Sequence, residues 1–135
     1  MRVSAAALLA VAGLVAASCG GITDPSKNTV ENFSGTLAVG GNAAHPFSAS
    51  KSGEISVKVS ALAPTANAFV GLIWAQAASD GSCSANVGIL QQNNFAQLNV
   101  PAISGAIISG KYCMIVYDVG AFTAPQTYTL AVSHP

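Results

Sequence analysis

Residues 54–60 read Glu-Ile-Ser-Val-Lys-Val-Ser, a strict alternation of polar and apolar side chains. In a helix this pattern would scatter Ile55, Val57 and Val59 around the cylinder. In a strand it puts all three on one face and Glu54, Ser56, Lys58 and Ser60 on the other. One buried and one wet face is the pattern of an antiparallel sheet lying on a core. No segment carries a convincing 3.6-residue period, so a second sheet, rather than helices, is expected to cover that core.

The rest of the chain supplies the strands. Residues 33–39 form a candidate that ends at the turn Gly40-Gly41-Asn42. His45-Pro46-Phe47-Ser48 reads as a short edge piece, because Pro46 cannot donate to a ladder. Residues 68–76 are apolar on both faces and predict a central strand. Residues 87–90 and 96–100 are weaker candidates on either side of an amide-rich loop, Gln91-Gln92-Asn93-Asn94, with Pro101 ending the second. Residues 111–118 and 128–132 complete the set. About eight short strands separated by turn residues predict an all-β fold, an antiparallel, jelly-roll-like β-sandwich.

The first 18 residues are of a different kind. Arg2 gives a positive start, and residues 3–17 are apolar apart from Ser4, with no further charge until Asp24. That length and its alanine-rich composition fit a secretory signal peptide better than a membrane-spanning helix, which needs about 20 strongly apolar residues. Residues 19–31 then read as a flexible tether rich in turn formers, with Pro25 opposed to a regular helix. Residues 32–135 form the domain. Once the leader is removed, four lysines face five carboxylates, so no basic patch is available to neutralise phosphates and nucleic-acid binding is not expected.

Ala16-Ala17-Ser18-Cys19 resembles the cleavage and lipid-attachment motif of bacterial lipoproteins, although Ala16 stands where the pattern usually has a larger aliphatic residue. The resemblance implies a lipid on Cys19 and a membrane-anchored protein of the cell envelope. Gly20 after the cysteine implies the outer membrane where two membranes are present. Cysteine parity agrees: with Cys19 acylated, Cys83 and Cys113 form an even pair in an oxidising compartment. The alternatives are cleavage near Ala17, which would leave Cys19 as a thiol or disulfide partner, and two unpaired buried thiols at Cys83 and Cys113.

The closing half, Gly110-Lys111-Tyr112-Cys113-Met114-Ile115-Val116-Tyr117-Asp118 followed by Tyr128-Thr129-Leu130-Ala131-Val132, resembles the pre-peptidase C-terminal domain family of secreted β-sandwiches. Phe33-Ser34-Gly35-Thr36-Leu37, and Phe47 ahead of Gly53-Glu54-Ile55-Ser56-Val57, fit the same plan. In that plan Tyr112, Met114 and Val116 face the core, and Cys113 points to the other face, where Cys83 can meet it. Closing that loop would stabilise the fold by about 3–4 kcal/mol in the chain-entropy description.

Catalytic motifs are missing. There is no Gly-x-Ser-x-Gly elbow and no His-Glu-x-x-His zinc motif; His45 reads as a loop residue and His134 as a terminal one. No cofactor is implied. Asp80 and Asp118, each close to a glycine, are the candidates for a calcium site, against the plainer reading of aspartates that brace turns. Trp74 reads as core, Tyr117 as the better exposed aromatic for a sugar platform, and the amides at 91–94 as possible contacts for a glycan or partner. The leading expectation is a non-enzymatic, lipid-anchored envelope protein whose sandwich mediates adhesion or protein contact. The alternative is a carbohydrate-binding or calcium-dependent accessory module. A small hydrolase or inhibitor with a site not visible in the sequence comes third.

Overall fold

The structure, a computed structural model, describes residues 24–84 and 88–135. The proposed signal peptide and Cys19 lie outside the described residues. Among the described residues there are eight strands: β1 (Thr29–Leu37), β2 (Asn42–Ala49), β3 (Gly53–Ala63), β4 (Val70–Gln76), β5 (Ile89–Ala96), β6 (Pro101–Ile107), β7 (Gly110–Tyr117) and β8 (Gln126–His134). They form two four-stranded antiparallel sheets, one in the order β1-β8-β3-β6 and the other β2-β7-β4-β5. Every connection crosses from one sheet to the other except β4 to β5, which is the interleaving of a jelly roll. The fold is therefore the all-β sandwich that the alternating strands predict.

The period-two pattern is the cause. Ile55, Val57 and Val59 are essentially inaccessible, while Glu54, Ser56 and Lys58 are exposed. Leu130 and Val132 on β8, and Tyr112, Met114 and Val116 on β7, meet them from the same sheet and from the opposite one. Trp74 is buried in this layer, tilted against Tyr112 at 5.8 Å between ring centroids. Burying side chains of this size contributes about 1.5–3 kcal/mol each, which offsets the ordering of so many short strands.

Several boundaries differ from the sequence reading, each for a physical reason. β1 starts at Thr29, inside the expected tether, because Thr29, Val30 and Glu31 pair with His134, Ser133 and Val132. Just before it, Asn28 donates its side-chain amide to the Glu54 carbonyl and to Ser133 Oγ. His45 is not a loop residue but lies within β2, which Pro46 does mark as an edge strand. The amides Gln91 to Asn94 are not a loop either; they lie within β5, the opposite edge of the same sheet, where one side of the strand meets water. Pro101 opens β6 rather than ending a strand, since the first residue of an edge strand needs no amide hydrogen.

The strand directions sort the connections into two ends. The chain enters β1 at one end, beside the last residues of β8 and the β2–β3 and β4–β5 connections. The β1–β2, β3–β4, β5–β6 and β7–β8 connections gather at the far end.

Candidate functional site

The outer surface of the β2-β7-β4-β5 sheet is unusual because it is not polar. Strand register lays it out in three rows. The row nearest chain entry has Pro46, Cys113, Ala75 and Ile89; the middle row has Ala44, Ile115, Ile73 and Gln92. The row at the far end has Asn42, Tyr117 and Gly71, followed by Asn94 and Phe95 together. Ile73, Ala75, Cys113 and Ile115 form a second small core outside the sandwich, with Ala77, Cys83 and Tyr117 packed on it.

Cys83 and Cys113 are joined in a disulfide, with 5.7 Å between Cα atoms. The bond ties the β4–β5 connection to the middle of β7, as the outward direction of Cys113 and the inward direction of Tyr112, Met114 and Val116 require. It closes the one connection that stays within a sheet.

The far row is built around Tyr117. Its ring lies over Gly71 so closely that a Cβ there would fall 2.2 Å from the ring, so only glycine fits beneath it. Gln92 Nε2 donates to the Tyr117 hydroxyl at 2.7 Å and to Asn94 Oδ1 at 3.1 Å, and the hydroxyl itself donates to Asn94 Oδ1. The aromatic and the amides that the sequence offers as separate candidates thus form one cluster.

Phe95 was not foreseen. Register slips between Val70/Ala96 and Leu72/Asn93, so that Asn94 and Phe95 both oppose Gly71. This is a β-bulge, and it turns two consecutive side chains outward. Asn93 Oδ1 accepts the Phe95 amide hydrogen at 2.8 Å, satisfying the group the bulge releases from the ladder. Phe95 is 72% exposed and packs edge-on to Phe69 at 5.8 Å between centroids. Phe69, read from sequence as part of the central strand, precedes β4 and is partly exposed. Shallow depressions of about 350 and 440 Å³ lie on either side of Tyr117, and neither is lined by lysine or arginine.

The two aspartates are not brought together. Asp80 sits in the β4–β5 connection near the start of β7; Asp118 follows its last residue, about 20 Å further along at strand rise. Burial pushes the Asp118 carboxyl up, but backbone N–H groups of Gly40, Ala121, Gly120 and Phe122 outweigh it and hold the carboxyl below its usual value. Those four donors lie 2.8–3.2 Å away and tie the β1–β2 turn to the β7–β8 connection. Ser82, through its hydroxyl and its backbone N–H, holds the Asp80 carboxyl low in the same manner. Both are turn braces. Among the described residues no group of three or more His, Cys, Asp or Glu side chains is placed to hold a metal.

The histidines are also apart. His45 Nε2 lies 2.7 Å from the Tyr128 hydroxyl and its ring stacks on Phe33. His134 Nε2 bonds Glu31 Oε1 at 2.8 Å at the chain-entry end.

No family model and no curated protein sequence matches the chain. Among solved structures it is similar to the Yersinia pseudotuberculosis-derived mitogen, with a TM-score of 0.58 at 14% identity over 80% of this chain and 87% of the other. It is similar also to PliG from Aeromonas hydrophila, a periplasmic lysozyme inhibitor of g-type lysozyme, with a TM-score of 0.54 at 17% identity over 83% of this chain and 91% of the other. At these identities the likeness is one of fold: this chain shares its β-sandwich with both.

Proposed function

We propose that this is an exported, non-enzymatic binding protein, anchored in the cell envelope through a lipid on Cys19, whose sandwich engages a partner through the surface around Tyr117. The observation that carries the reading is the placement of Tyr117, Phe95 and Phe69 at the end of the sandwich opposite chain entry. A tether joined at Asn28 leaves that end directed away from its anchor. Phe95 and Phe69 are exposed and Tyr117 is half-buried beside them; aromatic side chains that combine exposure with a fixed orientation are the kind that dominate binding surfaces. PliG, with which this chain shares its fold, is named as a periplasmic inhibitor of g-type lysozyme, which supports a contact role and an envelope setting for this chain.

Two measurements test the reading. Mass spectrometry of the mature N-terminal peptide is expected to find acylated Cys19; an unmodified peptide beginning elsewhere removes the anchor. A photo-crosslinking residue at position 95 is expected to trap a discrete partner in intact cells, and one at Ser34, on the other sheet, is not. Equal trapping at both positions would rule out this surface.

A further inference from the structure

The ligand chemistry of this surface can be taken further, on the reading that it is the contact site: we propose that the Tyr117 cluster holds an uncharged sugar ring. The hydrogen-bond inventory carries the argument. Asn94 Oδ1 receives both the Tyr117 hydroxyl and Gln92 Nε2, and Gln92 Nε2 also reaches the hydroxyl. Within the cluster this leaves Gln92 Oε1 as an unused acceptor and the Asn94 amide nitrogen as an unused donor. Both side chains are exposed. One fixed acceptor and one fixed donor side by side match adjacent hydroxyls of a sugar, each of which both donates and accepts.

The ring supplies the other half of the site. Tyr117 is half-buried, flat against the Gly71 backbone and held by its hydroxyl, so the part of the ring left exposed is presented without loss of rotamer freedom on binding. A rigid aromatic face suits the C–H face of a pyranose, and Phe95, 72% exposed across the bulge, extends it towards a second ring. Charge selects the class. Neither depression has a lysine or arginine in its lining, and the nearby Asp118 carboxylate is committed to four backbone donors. Sulfated, phosphorylated or sialylated sugars would find no counter-charge, whereas a neutral oligosaccharide needs none.

Saturation-transfer NMR and calorimetry of the full chain against neutral oligosaccharides (chitotetraose, cellotetraose, maltotetraose and mannotetraose) test this. At least one is expected to bind at millimolar or better affinity and to shift the Tyr117 ring resonances, with sulfated analogues no tighter. Gln92→Ala and Asn94→Ala, both at exposed positions, are expected to weaken binding at least fivefold with the melting temperature little changed. Tyr117→Ala is expected to weaken it more than tenfold. A silent panel, or binding that survives the Gln92 and Asn94 substitutions, overturns the sugar assignment. Lysozyme of the g type serves as a protein probe in the same titration. If it binds and is lost in Phe95→Ala while every sugar stays silent, the surface is a contact site but not for sugars. Loss of both kinds of binding and equal crosslinking at 95 and 34 would instead remove the surface itself.

Discussion

The two outer faces of this sandwich are made by strands of similar length but opposite character. On the β1-β8-β3-β6 sheet the outward residues are mostly polar, with Asn32, Ser34 and Thr36 on β1, Ser56 and Lys58 on β3 and Ser104 on β6, and the apolar ones among them, such as Val30 and Ala131, form no buried cluster. Ser34 Oγ and Thr129 Oγ1 share a hydrogen bond 2.8 Å long across the ladder. On the β2-β7-β4-β5 sheet the outward residues include Ile73, Ala75, Cys113 and Ile115, all buried, and then Tyr117. A sheet with one wet face needs only one core. The second sheet has a core on each side, and its outer core is the base on which the disulfide-tied connection and the Tyr117 cluster rest.

The difference can be broken most severely at the disulfide. Replacing Cys83 and Cys113 by serine opens a loop with a sequence separation of 30 and is expected to cost about 3–4 kcal/mol, read as a lower urea midpoint. If the cost is under about 1 kcal/mol, the connection is held by its packing and the bond is secondary. Next in size, Ile115→Ala on the apolar outer face is expected to lose about 2–4 kcal/mol. Ser56→Ala at a matching outward position on the other sheet should stay within about 0.5 kcal/mol. Equal losses would show that the two faces are energetically alike.

The smallest effect lies at the seam between β1 and β2, one of the edges along which the two sheets meet. Burial lowers the His45 imidazole below its ordinary value of 6.5. The unfolded chain then takes up a proton before the folded one does. The contribution of this group is therefore complete above about pH 6.5 and is lost as pH falls through the folded-state value. His45→Gln is expected to flatten the fall in urea midpoint between pH 7.5 and 5 relative to wild type. An unchanged slope would place the pH dependence elsewhere.

The wet face was legible in the sequence and the dry one only partly. Period-two alternation declares which side of β3 and β8 is buried. On β7 residues 112–117 are apolar throughout, so the outward direction of Cys113 followed only from the resemblance drawn above and not from the pattern itself. Runs such as Val70–Gln76 lack alternation because both sides are covered, so they announce burial without saying what lies over each face. The candidate site was half legible: Tyr117 and the amides stand out by residue type. Their meeting depends on a register slip at Asn94 and Phe95 and on the missing side chain of Gly71, and neither leaves a periodic trace. Asp118 was ambiguous for a similar reason. A carboxylate beside a glycine serves turns and cations alike until the four amides around it are located.

The continuous register of β1 on β8 has a mechanical consequence. All nine residues from Thr29 to Leu37 are matched without a slip, from His134 to Gln126. The chain enters at Thr29, and Tyr117 lies at the opposite end of the sandwich. A pull between a tether at Asn28 and a ligand held at Tyr117 would run along the strand axis, across hydrogen bonds that stand perpendicular to it. The rungs of that ladder would be loaded in shear and share the force, instead of opening one after another from an end. A protein stretched between a surface and its partner would then yield at the ligand contact before the domain unravels.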